Sequence, residues 1–278
     1  MSGWQALGKR DPLALEDARL QIHWAAQTIA AAGMTLVEHA ADDSHTNMEW
    51  LSSNGLLAGQ VVVAGEPSFR VALDPSGLTL SLLELNDEEI GRLSLNGHTL
   101  EQGYDWLSST ILPLIAEDEV ELDRPTFELP QHPVATGGCF SIDDAASFVE
   151  VGRWFANADL VLRGVQEQTP AASTVRCWPH HFDIATLIEV DRDAKKSIGV
   201  GMTPGDGNYA EPYWYVTPWP YPAADNLPPL ETGTWHTEGW IGAVLTGSTV
   251  VAAGDARAQH DLSTNFVNSA IRHCRDLL

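Results

Sequence analysis

The stretch HFDIATLIEVDRDAKKSIGVGM, residues 181–202, decides the fold class because apolar residues recur at every second position on either side of a turn. One side of its first extended segment is apolar: Phe182, Ile184, Ile188 and Val190. The other side is polar: His181, Asp183 and Glu189. The second segment, SIGVGM, presents only glycine opposite its own apolar side: Gly199 and Gly201. The pattern predicts a hairpin of two antiparallel strands.

Matching the apolar sides of the two strands suggests a register for the hairpin. Placing Ile188 opposite Val200 brings Asp183 opposite Gly205. Glycine has no side chain, so we expect an open floor beside the polar residues, where a ligand can approach the backbone.

Helices and short strands surround this hairpin. Helix signals start at Asp11, Thr99 and Ser141, and a closing helix carries Leu262, Phe266, Ala270 and Cys274. Further strands are predicted near Leu57 to Ala64, Phe69 to Leu73, Leu78 to Leu83 and Arg92 to Leu95. We predict an α+β protein of two similar halves, each with a helix, mostly antiparallel strands and a closing helix. The halves are 1–116 and 140–278, joined by a linker or crossing over 117–139.

An internal duplication would explain this repeated order. Four residues of the first half match four residues of the second half 129 positions later: Phe69, Val71, Leu73 and Pro75 against Ile198, Val200, Met202 and Pro204. The second half then carries roughly 30 additional residues, which we expect to hold a binding segment grafted onto a repeated scaffold.

Composition narrows the class of partner. The 278-residue chain has a net charge of −23 with only 15 Lys and Arg, so nucleic acids and anionic membranes are poor partners and a small-molecule ligand is expected. The start does not resemble a signal peptide, and no apolar run approaches the roughly 20 residues of a membrane span, which predicts a cytoplasmic protein. The three cysteines are too widely spaced for a thiolate zinc site: Cys139, Cys177 and Cys274.

Candidate site residues concentrate between Trp178 and Trp240, which hold five of ten Trp, four of five Tyr and three of ten His. Aromatic walls with a few ionisable groups are typical of small-molecule pockets. The predicted ligand-binding residues are Asp206, Tyr209, Tyr213, Trp214, Tyr215 and Trp219. The predicted acid–base or catalytic residues are His180, His181, Asp183, Glu211 and Glu238.

A divalent metal (Fe, Zn or Mn) is one cofactor hypothesis. His181, Asp183 and His236 form an HxD pair followed by a distant His, the two-His, one-carboxylate set of non-haem iron sites. The spacing is similar to that of the oxoglutarate-dependent dioxygenases, although no Arg follows His236 where those enzymes hold the co-substrate. Zinc hydrolysis with Glu211 or Glu238 as general base is a second form of this hypothesis.

Two other functions stay open. A non-catalytic protein would use the same aromatic residues to bind an aromatic or carbohydrate ligand, and a regulatory protein would present them as an exposed patch. No motif of a nucleophilic hydrolase, a nucleotide-binding loop or a thiol redox site is present.

The segments WPHHFDIA, EPYWYVTPWP and WHTEGWIGAVL, with a PGD turn, resemble a bacterial family known only as a domain of unknown function. DDSHTNMEW, FRVALDPSGLTL and the helix from Thr99 extend the resemblance over most of the chain. It implies a shared site at His180, Phe182 and Asp183 and a turn at 204–206, but no activity. It therefore favours His180, whereas the strand alternation favours His181.

Overall fold

The computed structural model describes residues 3–63, 67–86, 88–115 and 119–278. Within these ranges the chain forms five α-helices and two antiparallel sheets, which confirms the predicted α+β class. It divides into two compact units. Unit N comprises Asp17–Gly152 and Cys177–Phe182, and unit C comprises Met1–Glu16, Arg153–Arg176 and Asp183–Leu278. The predicted linker, of which residues 117 and 118 lie outside the described ranges, and the duplication stay predictions.

Unit N contains a five-stranded sheet in the order β1-β2-β3-β4-β5, with each strand antiparallel to the next. Its elements are α1 (Glu16–Leu36), β1 (Glu49–Leu51), β2 (Leu56–Ala58), β3 (Phe69–Asp74), β4 (Thr79–Glu84), β5 (Glu89–Ser94) and α2 (Leu100–Ile111), and α3 (Ala145–Gln168) begins in it. The capping box predicted at the start of α2 is confirmed: the Thr99 hydroxyl accepts the Gln102 amide and the Gln102 side chain accepts the Thr99 amide. The strand predicted from Leu57 to Ala64 is shorter than expected, since β2 ends at Ala58; Ala64 lies outside the described residues.

Unit C is built on the second sheet. The strands of this sheet are β6 (Arg176–Trp178), β7 (Asp183–Asp191), β8 (Lys196–Thr203), β9 (Tyr213–Trp219), β10 (Thr234–His236) and β11 (Gly242–Thr246), of which all but β6 lie entirely in unit C. The further helices of unit C are α4 (Gly247–Ala252) and α5 (Ala256–Leu277). The strand order is β10-β11-β9-β8-β7-β6. Helix α5 packs against β8, β9 and β11.

The predicted hairpin is present, but its register is two residues from the predicted one. Ile188 lies opposite Ile198, not opposite Val200, and Ile184 lies opposite Met202. A shift of two keeps every side chain on its own face, so alternation alone does not distinguish the two registers. Asp183 begins β7, and β8 ends at Thr203 before it reaches the glycine predicted to face Asp183.

The sheet of unit C has two chemically distinct faces. The apolar face, against which α5 packs, carries fully buried side chains: Ile184, Ile198, Val200, Met202, Trp214, Val216 and Leu245. The opposite face, called here the site face, carries polar and aromatic residues: Asp183, Gly199, Gly201, Tyr213, Tyr215, Thr217, Trp219 and His236. The sequence alternation thus places five of the twelve predicted site residues on one side of one sheet: Asp183, Tyr213, Tyr215, Trp219 and His236.

Candidate small-molecule site

Tyr215 crosses the site face from β9 to β7. It lies directly opposite Gly201 of β8, and its hydroxyl donates a hydrogen bond to Asp183 Oδ2 on β7. A Cβ on Gly201 would lie 2.5 Å from the Tyr215 hydroxyl and 2.6 Å from Cζ, closer than real contacts allow. Glycine is therefore required at this position, where the Tyr215 ring covers the strand. The open floor was expected at Gly205, which the observed register does not pair with Asp183.

A second tyrosine–carboxylate pair lies beside the first. The Tyr213 hydroxyl donates to Asp206 Oδ2 at 2.6 Å. The other oxygen, Oδ1, accepts the amides of Asn208 at 2.7 Å and Tyr209 at 3.0 Å, which closes the turn after β8. Burial, and then the hydrogen bond to Asp206, raise the pKa of Tyr213 well above its usual range. Tyr213 therefore stays protonated and acts as a hydrogen-bond donor.

His236 is held between a hydroxyl and a carbonyl. Its Nε2 lies 2.7 Å from the Glu238 carbonyl oxygen, and its Nδ1 lies 3.1 Å from the Tyr209 hydroxyl. A carbonyl only accepts, so Nε2 carries the proton and Nδ1 accepts from Tyr209. Trp240 stacks on the imidazole, with ring centroids 4.3 Å apart and planes 27° apart. Both ring nitrogens of His236 thus have hydrogen-bond partners.

Five aromatic side chains form a closed ring of neighbours, called here the five-ring circuit. Successive centroids are 4.7 Å apart for Tyr209 and Tyr213, 6.4 Å for Tyr213 and Tyr215, and 6.4 Å for Tyr215 and Trp240. The circuit closes through His236, which lies 4.3 Å from Trp240 and 5.7 Å from Tyr209. Tyr213 is buried and the other four rings are half-buried, so the circuit is reached from solvent. The carboxylates of Asp183 and Asp206 are bonded to it through tyrosine hydroxyls.

Other predicted site residues of unit C lie outside the circuit. Trp214 is fully buried on the apolar face. Trp219, 54% exposed, stands at the end of β9 and makes an edge contact with Tyr221 at 5.1 Å. Glu211 accepts the Ser248 amide in the first turn of α4, and such a carboxylate stabilises a helix start. The Glu238 side chain is exposed, and its contribution to the circuit comes from its carbonyl.

His180 and His181 belong to unit N, in the turn before β7. Their rings are 4.3 Å apart, and His180 also contacts Trp178 and Phe127 at 6.0 Å and 5.6 Å. Phe182 has a φ of 56°, in the left-handed region. Strand β7 begins at Asp183, directly after Phe182. The side-chain alternation of the strand therefore does not extend back to His181.

The metal hypothesis at His181, Asp183 and His236 stays a prediction. Within unit C, Asp183 Oδ2 accepts from Tyr215 and both nitrogens of His236 have hydrogen-bond partners, so a metal ligated by His236 would have to displace one of its partners. Among the described residues, one group of three side chains brings metal-ligating atoms within 4.8 Å of one another, and it consists of His39, Asp43 and His45 of unit N. Sequence reasoning missed this group, although its H-x3-D-x-H spacing was available as a signal.

Sequence reasoning also missed Trp240 as a site residue. The available signal was a glycine two positions later: a Cβ on Gly242 would lie 2.5 Å from Trp240 Cζ3. Gly242 and Gly201 thus serve the same purpose, since each lets an aromatic ring lie over a strand of the sheet. Glycines that alternate with apolar residues beside aromatic segments are the pattern to look for.

No protein-family model matches this chain, and no curated protein or solved structure matches it either. The resemblance to a bacterial domain of unknown function therefore stays an expectation. In the described ranges, none of the helices has the length and hydropathy needed to cross a bilayer. The functional argument accordingly depends on the geometry of the site.

Proposed function

We propose that this protein binds a small molecule by enclosing a positively charged ammonium group in the five-ring circuit, without chemistry on the ligand. The observation that carries the proposal is the closed circuit itself, with neighbouring centroids 4.3 to 6.4 Å apart. In a regular pentagon with the mean of these spacings, the centre is about 5 Å from each centroid, inside the roughly 6 Å range over which a cation is attracted to an aromatic face.

The charges around the circuit favour a cation over a neutral or anionic ligand. Tyr213 and Tyr215 donate hydrogen bonds to Asp206 and Asp183, so these donors are already used and a carboxylate lies at the hydroxyl end of each ring. The raised pKa of Tyr213 keeps its ring neutral. A net charge of −23 adds a long-range field that attracts cations. Ring faces, carboxylates and overall charge thus all act in the same direction.

Choline and its neutral isostere 3,3-dimethylbutan-1-ol form the matched probe pair for this proposal. The two compounds have the same shape and differ in one positive charge. Calorimetric titration of the full chain, at one ionic strength, is expected to show saturable binding of choline to one site and binding of the isostere at least about 10-fold weaker. Equal binding of the two compounds, or binding of neither, would refute a cation site.

Two tryptophan variants then locate the ligand on the site face. Removing one ring that contacts a cation costs about 1–2 kcal/mol, so Trp240→Ala is expected to raise the Kd of choline about 5- to 30-fold. Trp219→Ala removes a ring on the same face but outside the circuit, and we expect less than about a 2-fold change. A loss of binding in Trp219→Ala with none in Trp240→Ala would place the ligand at the strand end and contradict the proposal.

A further inference from the structure

The loop after α1 gathers three side chains that can ligate a metal, in unit N and independently of the five-ring circuit. The ligand atoms of His39, Asp43 and His45 all lie within 4.8 Å of one another. His39 Nδ1 is 3.5 Å from His45 Nε2, and the two rings meet edge to face. His39 and Asp43 are exposed, whereas His45 is only 7% exposed. The group therefore has one anchored ligand and two that face solvent.

The spacing of the two imidazole nitrogens fits a tetrahedral ion. Nitrogens bound at about 2.0–2.1 Å to tetrahedral zinc are about 3.3–3.4 Å apart, whereas cis nitrogens of an octahedral ion at the same bond length are about 2.9 Å apart. The observed 3.5 Å is close to the tetrahedral value. We propose that His39, Asp43 and His45 bind a zinc-class divalent ion through two imidazoles and one carboxylate, with the fourth position open to water.

The loop backbone holds the ligands in place without the ion. The amide of Asp43 donates to the Ala40 carbonyl at 3.0 Å, and the Thr46 hydroxyl donates to the Asp43 carbonyl at 2.8 Å. A Cβ on Gly33 of α1 would lie 2.3 Å from the His45 carbonyl oxygen, so glycine there permits the loop to lie directly against the helix. Little conformational freedom is then lost when the ion binds.

Ion binding requires one proton to move. The Ala40 amide donates to His45 Nδ1 at 3.3 Å, so the ring proton is on Nε2, between the two imidazoles. A metal at Nε2 takes that position, and the proton of the neutral ring moves to Nδ1. The Ala40 amide then loses its acceptor. Faster hydrogen exchange of the Ala40 amide in the metal-bound protein is therefore expected.

A matched pair of carboxylate variants tests whether Asp43 ligates the ion or only adds charge. Asp42 is next to it, and its Oδ1 accepts the Ser44 amide at 3.1 Å, a role that Asn can keep. Asp43→Asn and Asp42→Asn remove the same charge from the same loop. Loss of a ligand exceeds the 10- to 100-fold cost of a lost supporting contact, so we expect Asp43→Asn to weaken zinc binding at least about 100-fold and Asp42→Asn to weaken it less than about 5-fold.

The measurement uses the full chain, stripped with chelator and titrated with Zn²⁺ against a competing chromophoric chelator. His39→Ala is expected to abolish tight binding, and His260→Ala on α5 is the histidine control, expected to match wild type. Co²⁺ substitution should give the strong visible absorption of a tetrahedral site. Binding weaker than about 1 mM, equal effects of the two Asp variants, or loss of binding in His181→Ala but not His39→Ala would overturn the assignment.

Discussion

Gly201→Ala is expected to dismantle the centre of the site face. The new Cβ would lie 2.5 to 2.8 Å from three atoms of the Tyr215 phenol, so the ring must move away from β8. Overpacking costs about 1–3 kcal/mol. Loss of the hydrogen bond to Asp183 costs about 1.5–3 kcal/mol, and replacing glycine within a strand returns about 0.5–1 kcal/mol. The net loss is about 2–5 kcal/mol, toward the lower end because Tyr215 and Asp183 are half-buried.

Gly199→Ala is the matched control for this variant. Gly199 is on the same strand and face, but a Cβ there would meet the Thr217 methyl at 3.1 Å and the Thr217 carbonyl oxygen and Tyr215 at 4.0 Å, which is far less crowded than at Gly201. The free energy of unfolding, from urea titrations, should therefore change by less than about 1 kcal/mol.

A double variant tests the cause of the Gly201→Ala effect. Once Tyr215→Ala has removed the ring, Gly201→Ala should be neutral or should stabilise the protein by about 0.5–1 kcal/mol. The reasoning is refuted if Gly201→Ala and Gly199→Ala destabilise equally, or if Gly201→Ala remains as harmful without the Tyr215 ring.

Two further predictions concern a buried histidine and a buried tyrosine. Burial lowers the pKa of His23 to about 4. The buried neutral imidazole therefore contributes fully to the free energy of unfolding above pH 6.5, and this contribution is lost as the pH falls toward 4. The stability difference between wild type and His23→Gln should shrink by about 3 kcal/mol over that range; a difference that stays constant with pH would contradict this. Tyr213→Phe removes the bond to Asp206 and should cost about 1.5–3 kcal/mol in urea unfolding, against almost nothing for the exposed Tyr221→Phe; similar values for both would show that the bond contributes nothing.

Local patterns in the sequence were sufficient to predict the fold class and the two faces of the second sheet. Alternation in residues 181–202 separated Ile184 from Asp183, and the structure places them on opposite faces. The capping box predicted at Thr99 formed as expected. Such features depend on residues within a few positions of each other, so the sequence specifies them without any tertiary contact.

The partners within the candidate site were not predictable in the same way. Tyr215 and Asp183 are 32 positions apart, and Tyr209 and His236 are 27 apart. Which residues meet depends on the hairpin register, and the predicted register differed from the observed one by two positions. Because both registers keep the same faces, the hydrophobic pattern gave no means of choosing between them.

The sequence by itself determined that this chain is an α+β protein with an aromatic, acid-lined face on its second sheet, because side-chain alternation and helix caps act locally. Tertiary structure alone decided that Tyr215 covers Gly201, that Trp240 stacks on His236 and that His39 meets His45. The first contact joins two neighbouring strands, and the other two join residues six or fewer positions apart whose rings meet only in one backbone conformation of their loop. Their geometry is set by register and close packing, which leave no periodic signal in the sequence.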